Sequence, residues 1–167
     1  GCKACEVACF AGHNRESNGV GKTVGTVTVP VSPRLYLVKG EGFCVPVQCK
    51  HCEDAPCLNA CGKNAITRID NQIIVNEEKC IGCKDCMLAC PFGAISLLPS
   101  CEGGKQVAQV GAEEPKKFAS KCDLCAGIEG GPACVRVCPN EALRLVYPEE
   151  ERYEKQMRAA ETLALIQ

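Results

Sequence analysis

Cys80, Cys83, Cys86 and Cys90, followed by Pro91, space their thiols as C-x2-C-x2-C-x3-C-P. Two-residue gaps let a tight loop bring three thiolates onto one small inorganic cube. The three-residue gap begins a helical turn, which carries the fourth sulfur towards a neighbouring site. Pro91 cannot extend a helical hydrogen-bond ladder, so the chain turns away after it. Thiolates in this run hold [4Fe–4S] cubes, and the fourth belongs to a second cube. Zinc sites pair their cysteines and do not use this run closed by a proline.

Three more motifs follow the same plan. Cys49, Cys52, Cys57 and Cys61 form C-x2-C-x4-C-x3-C, with Pro56 before the third cysteine and Gly62 where a proline would close the run. Cys122, Cys125, Cys134 and Cys138 form C-x2-C-x8-C-x3-C, closed by Pro139, with Gly127, Gly130 and Gly131 in the long gap. Residues 1–9 read Gly-Cys-Lys-Ala-Cys-Glu-Val-Ala-Cys, against Gly-Cys-Lys-Asp-Cys-Met-Leu-Ala-Cys at 82–90. Cys2, Cys5 and Cys9 thus fall on Cys83, Cys86 and Cys90. The register expects another cysteine two positions before Gly1, so the sequence reads as starting inside a motif, without one ligand and an N-terminal strand.

The exchanged fourth ligand dictates the pairing of motifs. The second and third are separated by one hairpin and should share a module. One cube would take Cys49, Cys52, Cys57 and Cys90, and its partner Cys80, Cys83, Cys86 and Cys61. The outer motifs must then meet. One of their cubes would take Cys122, Cys125, Cys134 and Cys9, and the other Cys2, Cys5, Cys138 and the expected upstream cysteine. Fifteen of the seventeen cysteines are thereby used. Cys44 reads as a small buried apolar group and Cys101 as a free thiol. His51, between two ligands, reads as a hydrogen-bonding neighbour of a cube, and His13 as a surface or supporting group. Lys3, Lys50, Lys84 and Lys121 flank ligands, where a cation would favour the reduced, more negative cube.

The elements that position these thiols are short. The chain has 167 residues, no Trp and few aromatics, too little to fill an ordinary apolar core, so inorganic groups must fill it. Ordered quartets rather than scattered pairs set disulfides aside, and cubes need reduced thiolates. A net charge of −1 points to neither nucleic acid nor an anionic membrane surface. No apolar run approaches the roughly 20 residues of a membrane span. Residues 11–33 read as an insertion loop with a β-prone run at Thr23–Val29. Gly19, Gly21, Lys22 and Thr23 fall short of a phosphate loop. Strands are expected at Arg34–Val38 and Phe43–Val47 around Gly40 and Gly42. Further strands are expected at Ile66–Ile69 and Gln72–Asn76 around Asp70-Asn71, and at Ala94–Leu98, Gln106–Val110 and Ala142–Tyr147, the last ended by Pro148. From Glu149 the chain turns charged, with Met157, Ala160, Leu163, Ala164 and Ile166 at helical spacing.

The fold class is therefore α+β: two pseudo-symmetric modules, each a ferredoxin-like 2×[4Fe–4S] unit of short strands and helices, plus a C-terminal helical tail. Residues 1–48 with 118–147 would form the first module, 49–117 the second, and 148–167 the tail.

The four quartets, the long gap in the fourth, and the phrases Cys-Glu-Asp-Ala-Pro-Cys and Lys-Cys-Asp-Leu-Cys make residues 1–147 resemble the four-cluster electron-transfer subunits of molybdopterin oxidoreductases. That family includes the small subunits of dimethyl sulfoxide reductase and formate dehydrogenase. The soluble formate hydrogenlyase and hydrogen-dependent carbon dioxide reductase branches are the nearest in pattern. The resemblance implies four [4Fe–4S] clusters, and an electron-transfer subunit that is not an enzyme by itself. It would wire a formate dehydrogenase-type molybdopterin or tungstopterin subunit to a hydrogenase or other redox partner, in a cytoplasmic, anaerobic setting. The amphipathic tail needs a surface to pack on, either its own cluster body or a neighbouring subunit such as a homologous ferredoxin-like one. A free-standing polyferredoxin carrier and a metal-stapled structural or sensing module are the rival readings.

Overall fold

A computed structural model of the chain describes residues 1–13, 32–102, 105–108 and 115–166. The expected run at Thr23–Val29, the Gly19–Thr23 segment and the second half of Gln106–Val110 lie outside them. In order the elements are α1 (Ala4–His13), β1 (Leu35–Gly40), β2 (Phe43–Gln48), α2 (Pro56–Asn59), β3 (Ile66–Ile69), β4 (Gln72–Val75), α3 (Asp85–Ala89), β5 (Ser96–Pro99), β6 (Cys101–Glu102), β7 (Lys105–Gln106), β8 (Lys117–Ser120), α4 (Ala133–Val137) and α5 (Pro148–Ala164). Short helices and two-stranded antiparallel sheets make this an α+β fold of ferredoxin-like character.

Hairpin β3–β4 follows from its turn. Asp70 and Asn71 adopt φ of 46° and 64°, both left-handed, as a two-residue type I′ connection requires. Asp and Asn tolerate that region better than most residues. Hairpin β1–β2 turns at Glu41-Gly42, with Gly42 at φ 76°. Strand β8 returns to pair with β5, Leu97 facing Ala119, while β6 pairs with β7.

Two cores result. The larger gathers Ala55, Cys57, Ala65, Ile66, Ile73, Cys80, Cys86, Ile95 and Ala119. The smaller holds Cys5, Cys9 and Leu35, with Cys134 and Leu143 packed against it. Helix α1 packs on α4, and α2 on α3. The Glu6 carboxylate accepts a hydrogen bond from the Leu37 N–H at 2.6 Å, tying α1 to β1. The Tyr36 and Ser96 hydroxyls meet at 2.9 Å, joining β1 to β5.

Three expectations change. Residues 11–13 are not loop but the last turn of α1. Residues 142–147 form no strand; Leu145, Val146 and Tyr147 are substantially exposed and no described segment pairs with them. Pro148 does not end a strand but opens α5, where its missing N–H costs nothing at the first helical position. The helical tail exists, yet no residue of α5 is buried. No described helix is long and apolar enough to cross a membrane.

Candidate metal centres

The same local construction recurs in all four motifs. In each motif the cysteine four residues before the last stands on a helix: Cys5 on α1, Cys57 on α2, Cys86 on α3 and Cys134 on α4. The loops ahead of these helices curl through left-handed residues, His51 at φ 50°, Gly82 at 70° and Leu124 at 56°, each two after the first cysteine of its motif. Only Gly82 announces this in its residue type. A Cβ at Gly82 would also stand 2.7 Å from the Lys117 carbonyl oxygen, so β8 can approach only a glycine there.

Cys90 and Cys138 each cap a helix in extended conformation, so their sulfurs leave the helix that carries their motif. The amide four residues after the fourth cysteine then donates back to its sulfur. Ala65 N–H reaches Cys61 Sγ at 3.3 Å, Ala94 reaches Cys90 at 3.4 Å, and Ala142 reaches Cys138 at 3.3 Å. In the first motif this position is His13, still helical, and the Arg34 N–H supplies the donor to Cys9 Sγ at 3.3 Å. The third motif receives another, from Ala119 N–H to Cys80 Sγ at 3.3 Å.

Two cavities collect cysteines in fours. One is lined by Cys80, Cys83, Cys86 and Cys61 beside Ala65, Leu97 and Ala119. The other is lined by Cys49, Cys52, Cys57 and Cys90 beside Ala55, Ile73 and Ile95. In each, three thiols come from one motif and the fourth from the other.

The outer motifs meet less completely. Cys9, Cys122, Cys125 and Cys134 stand close enough that Cys9 and Cys134 disfavour ionisation of Cys122, and Cys9 and Cys125 that of Cys134. Cys2 stands near Cys5 and does the same to it. Nothing described brings Cys138 against Cys2 and Cys5. It is half-buried, its thiol held below the ordinary value by the Ala142 amide and other peptide donors. Cys44 is half-buried rather than buried, and a Cβ at Gly1 would stand 3.3 Å from its sulfur, placing it beside the start of the first motif. Cys101 stands apart, with Pro99 carbonyl at 3.8 Å from its sulfur.

The thiols fit a multinuclear cationic group. Burial pushes Cys86 up to about 11, Cys122 to about 12 and Cys134 to about 11, with thiol neighbours adding to the effect. Bare thiolates would therefore not persist there, whereas bound iron supplies the charge that keeps a thiol ionised. Among the described residues no three His, Cys, Asp or Glu side chains converge tightly enough for a single ion. The cysteines of each cavity stand round a wider space.

Two histidines support the sites in opposite ways. His13 Nδ1–H donates to the Cys9 carbonyl at 2.8 Å, and Nε2–H to Asp123 Oδ1 at 2.9 Å. With both nitrogens donating, and Asp123 as the main cause, its pKa rises to about 10. Burial alone would raise Asp123. The His13 hydrogen bond and the charges of Arg34 and His13 outweigh it and hold the carboxyl at about 2. Arg34 pairs directly with the second oxygen of Asp123. His51 instead accepts, at Nδ1, the Ile73 N–H at 2.9 Å. Burial and then the Lys121 charge lower it to about 4, so it stays neutral. The network of His13, Arg34 and Asp123 escapes the sequence, because its members lie far apart along the chain and only Asp123 sits between two cysteines of a motif.

Comparison with known proteins agrees with this chemistry. Residues 73–96 match the 4Fe-4S binding domain family. Over 143 residues the chain is 39% identical to the electron transport protein HydN of Escherichia coli strain K12, covering 86% of this chain and 79% of HydN. It is 40% identical over 186 residues to hydrogenase-4 component A of the same organism, covering 98% of this chain and 84% of that protein. It is 44% identical over 146 residues to the putative oxidoreductase AegA, but spans only 20% of AegA's length.

Proposed function

The chain belongs to the family of iron–sulfur electron-transport proteins that includes HydN and hydrogenase-4 component A, and on that premise we propose that it is a conduit carrying four [4Fe–4S] clusters. The observation that carries this reading is the pair of cavities, each lined by three thiols of one motif and the fourth of the other. Cys49, Cys52, Cys57 and Cys90 hold one group, and Cys80, Cys83, Cys86 and Cys61 its neighbour. Cys122, Cys125, Cys134 and Cys9 hold a third, and Cys2, Cys5 and Cys138 serve the fourth. The recurrent packing of α1 on α4 and α2 on α3 supports two pseudo-symmetric modules, with β8 crossing from the first to complete the core of the second.

A group held by four cysteines would supply one-electron chemistry and nothing more, since no iron is then left open to substrate. The chain's own residues exclude water, hold the thiolates apart and aim peptide N–H groups at sulfur. Those donors stabilise negative charge on the group they face. The partners are a hydrogenase-type redox protein and a formate dehydrogenase-type molybdopterin or tungstopterin subunit, in the cytoplasm of an anaerobically growing cell. Exposed α5, which the match to hydrogenase-4 component A extends into at 98% coverage, supports a docking role on a neighbouring subunit.

Anaerobic analysis of the purified protein should give about sixteen irons and as many sulfides per intact chain. Half that figure or less rejects four clusters. Cys90→Ser should alter the electron paramagnetic resonance signal of the group held by Cys49, Cys52 and Cys57. A change confined to the Cys80, Cys83 and Cys86 group rejects the exchanged ligand.

A further inference from the structure

Five lysines adjoin cysteines of the motifs, and four of them, Lys3, Lys50, Lys79 and Lys84, are exposed to solvent. The fifth, Lys121, is 4% exposed, the single charged residue buried to that degree among those described. Burying an ammonium is costly unless the surroundings need its charge. The two hydrogen-bond partners described for it are both backbone carbonyls. It donates to the Ile73 carbonyl and, at 3.0 Å, to the Cys122 carbonyl. Neither partner is a carboxylate that would neutralise it.

The two carbonyls belong to different halves. Ile73 is 1% exposed and lines the cavity of Cys49, Cys52, Cys57 and Cys90. Cys122 belongs with Cys9, Cys125 and Cys134. Burial and the Cys49 thiol raise Cys57, and the Lys121 charge acts against them. Ile73 is gripped at both ends, its N–H by His51 Nδ1 and its carbonyl by Lys121. The His51 Nε2–H is buried and has no partner among the described residues. One residue, Ile73, thus joins a histidine placed between two cysteines of one site to a lysine adjoining a cysteine of the other.

We propose that Lys121 is the shared cation of the crossing between the two halves, raising the reduction potential of the group at Cys49, Cys52, Cys57 and Cys90 together with that at Cys9, Cys122, Cys125 and Cys134. The inference rests on the four-cluster reading. When one electron crosses, one site is oxidised by one electron and the other reduced by one. No bond forms or breaks. A charge placed between the two sites stabilises the electron on either side, so the crossing is levelled rather than made downhill into one site.

The test uses the iron-loaded full chain under anaerobic conditions, as wild type, Lys121→Met, Lys121→Gln and Lys121→Arg. Iron content is measured for each, and potentials are read from a redox titration followed by electron paramagnetic resonance. Neutral variants with wild-type iron should move two of the four potentials to more negative values and leave two in place. Lys121→Arg should restore them. Full iron with four unmoved potentials overturns the shared-cation role while leaving the four-cluster reading intact. So does failure of both neutral variants to take up iron while Lys121→Arg loads normally, because Lys121 is then a folding residue alone. A wild type with half the iron or less overturns the four-cluster reading itself.

Discussion

The inner half, built on the second and third motifs, and the outer half, built on the first and fourth, solve the same problem with different means. The inner half wraps its cysteines in a contiguous apolar core around Ile73 and closes them into two cavities. Among the described residues the outer half has Leu35 as its one large, fully buried aliphatic side chain, and it relies on a charged clasp, His13–Asp123–Arg34, to bring the ends of the motif region together. The inner thiols receive matched peptide donors from Ala65 and Ala94, whereas Cys9 is served by Arg34 from a different segment. Short sequence separation lets a hairpin and apolar burial align the inner motifs. Motifs separated by more than a hundred residues need long-range specificity, which paired charges supply better than apolar contact does.

Stripping the iron should be the most damaging treatment, because metal binding and folding are one process in such proteins. After anaerobic chelation we expect hydrogen-exchange protection to vanish first across α1 and α4 and later across β3 and β4. Equal loss rates would erase the distinction between the halves. Next comes core truncation. Ile73→Ala and Leu35→Ala should each destabilise by about 2–5 kcal/mol, the range for large-to-small changes at sites buried this fully. The comparison lies in the spectra: Leu35→Ala should broaden the signals of the outer half alone, and Ile73→Ala those of the inner half.

Breaking the clasp should cost somewhat less. Asp123→Asn leaves Arg34 and His13 short of their shared anion, at about 2–3 kcal/mol. Arg68→Ala, which removes donors to the exposed Cys52 and Glu53 carbonyls of the inner half, should cost about 1 kcal/mol or less. Denaturant titration of the two variants checks the ranking.

Acidification separates the halves more finely. His51 has its pKa lowered in the fold, so the unfolded chain binds the proton more readily and stability falls as pH drops from 6.5 towards about 4. At pH 5 that amounts to about 2 kcal/mol. The clasp behaves oppositely. The contribution of His13 is complete below 6.5 and lost as pH rises through about 10, while that of Asp123 is complete above 3.8 and lost as pH falls through about 2. Between pH 7 and 5 the Ile73 amide should therefore lose exchange protection while the Arg34 amide keeps its own.

The strands of both hairpins, the I′ turn at Asp70-Asn71 and the helical tail are legible in the sequence, because each follows from local residue preferences. The extended segment at Ala142–Tyr147 is not: alternation suggests a strand, but a strand needs a neighbour, and sequence pattern does not supply one. The sequence places Lys121 beside a cysteine without telling it apart from Lys84. Only the fold decides that Lys121 faces inward against Ile73 while Lys84 faces water. Likewise the left-handed turns at His51 and Leu124 carry no glycine to announce them. They are imposed by the need to curl the loop, at roughly 1–3 kcal/mol each.

The alanine amides that reach Cys61, Cys90 and Cys138 have a consequence for how this protein can drift over generations. A peptide N–H is not spelled by any codon. At exposed Ala142 the coding triplet can wander through most of the genetic code and the donor to Cys138 stays. Only proline erases it, because proline has no N–H. At Ala65 and Ala94 the buried methyl limits the size of a replacement, yet the donor itself is equally beyond the reach of side-chain change. Inherited adjustment of electron energies is thus channelled away from the peptide frame and onto the few charged side chains nearby.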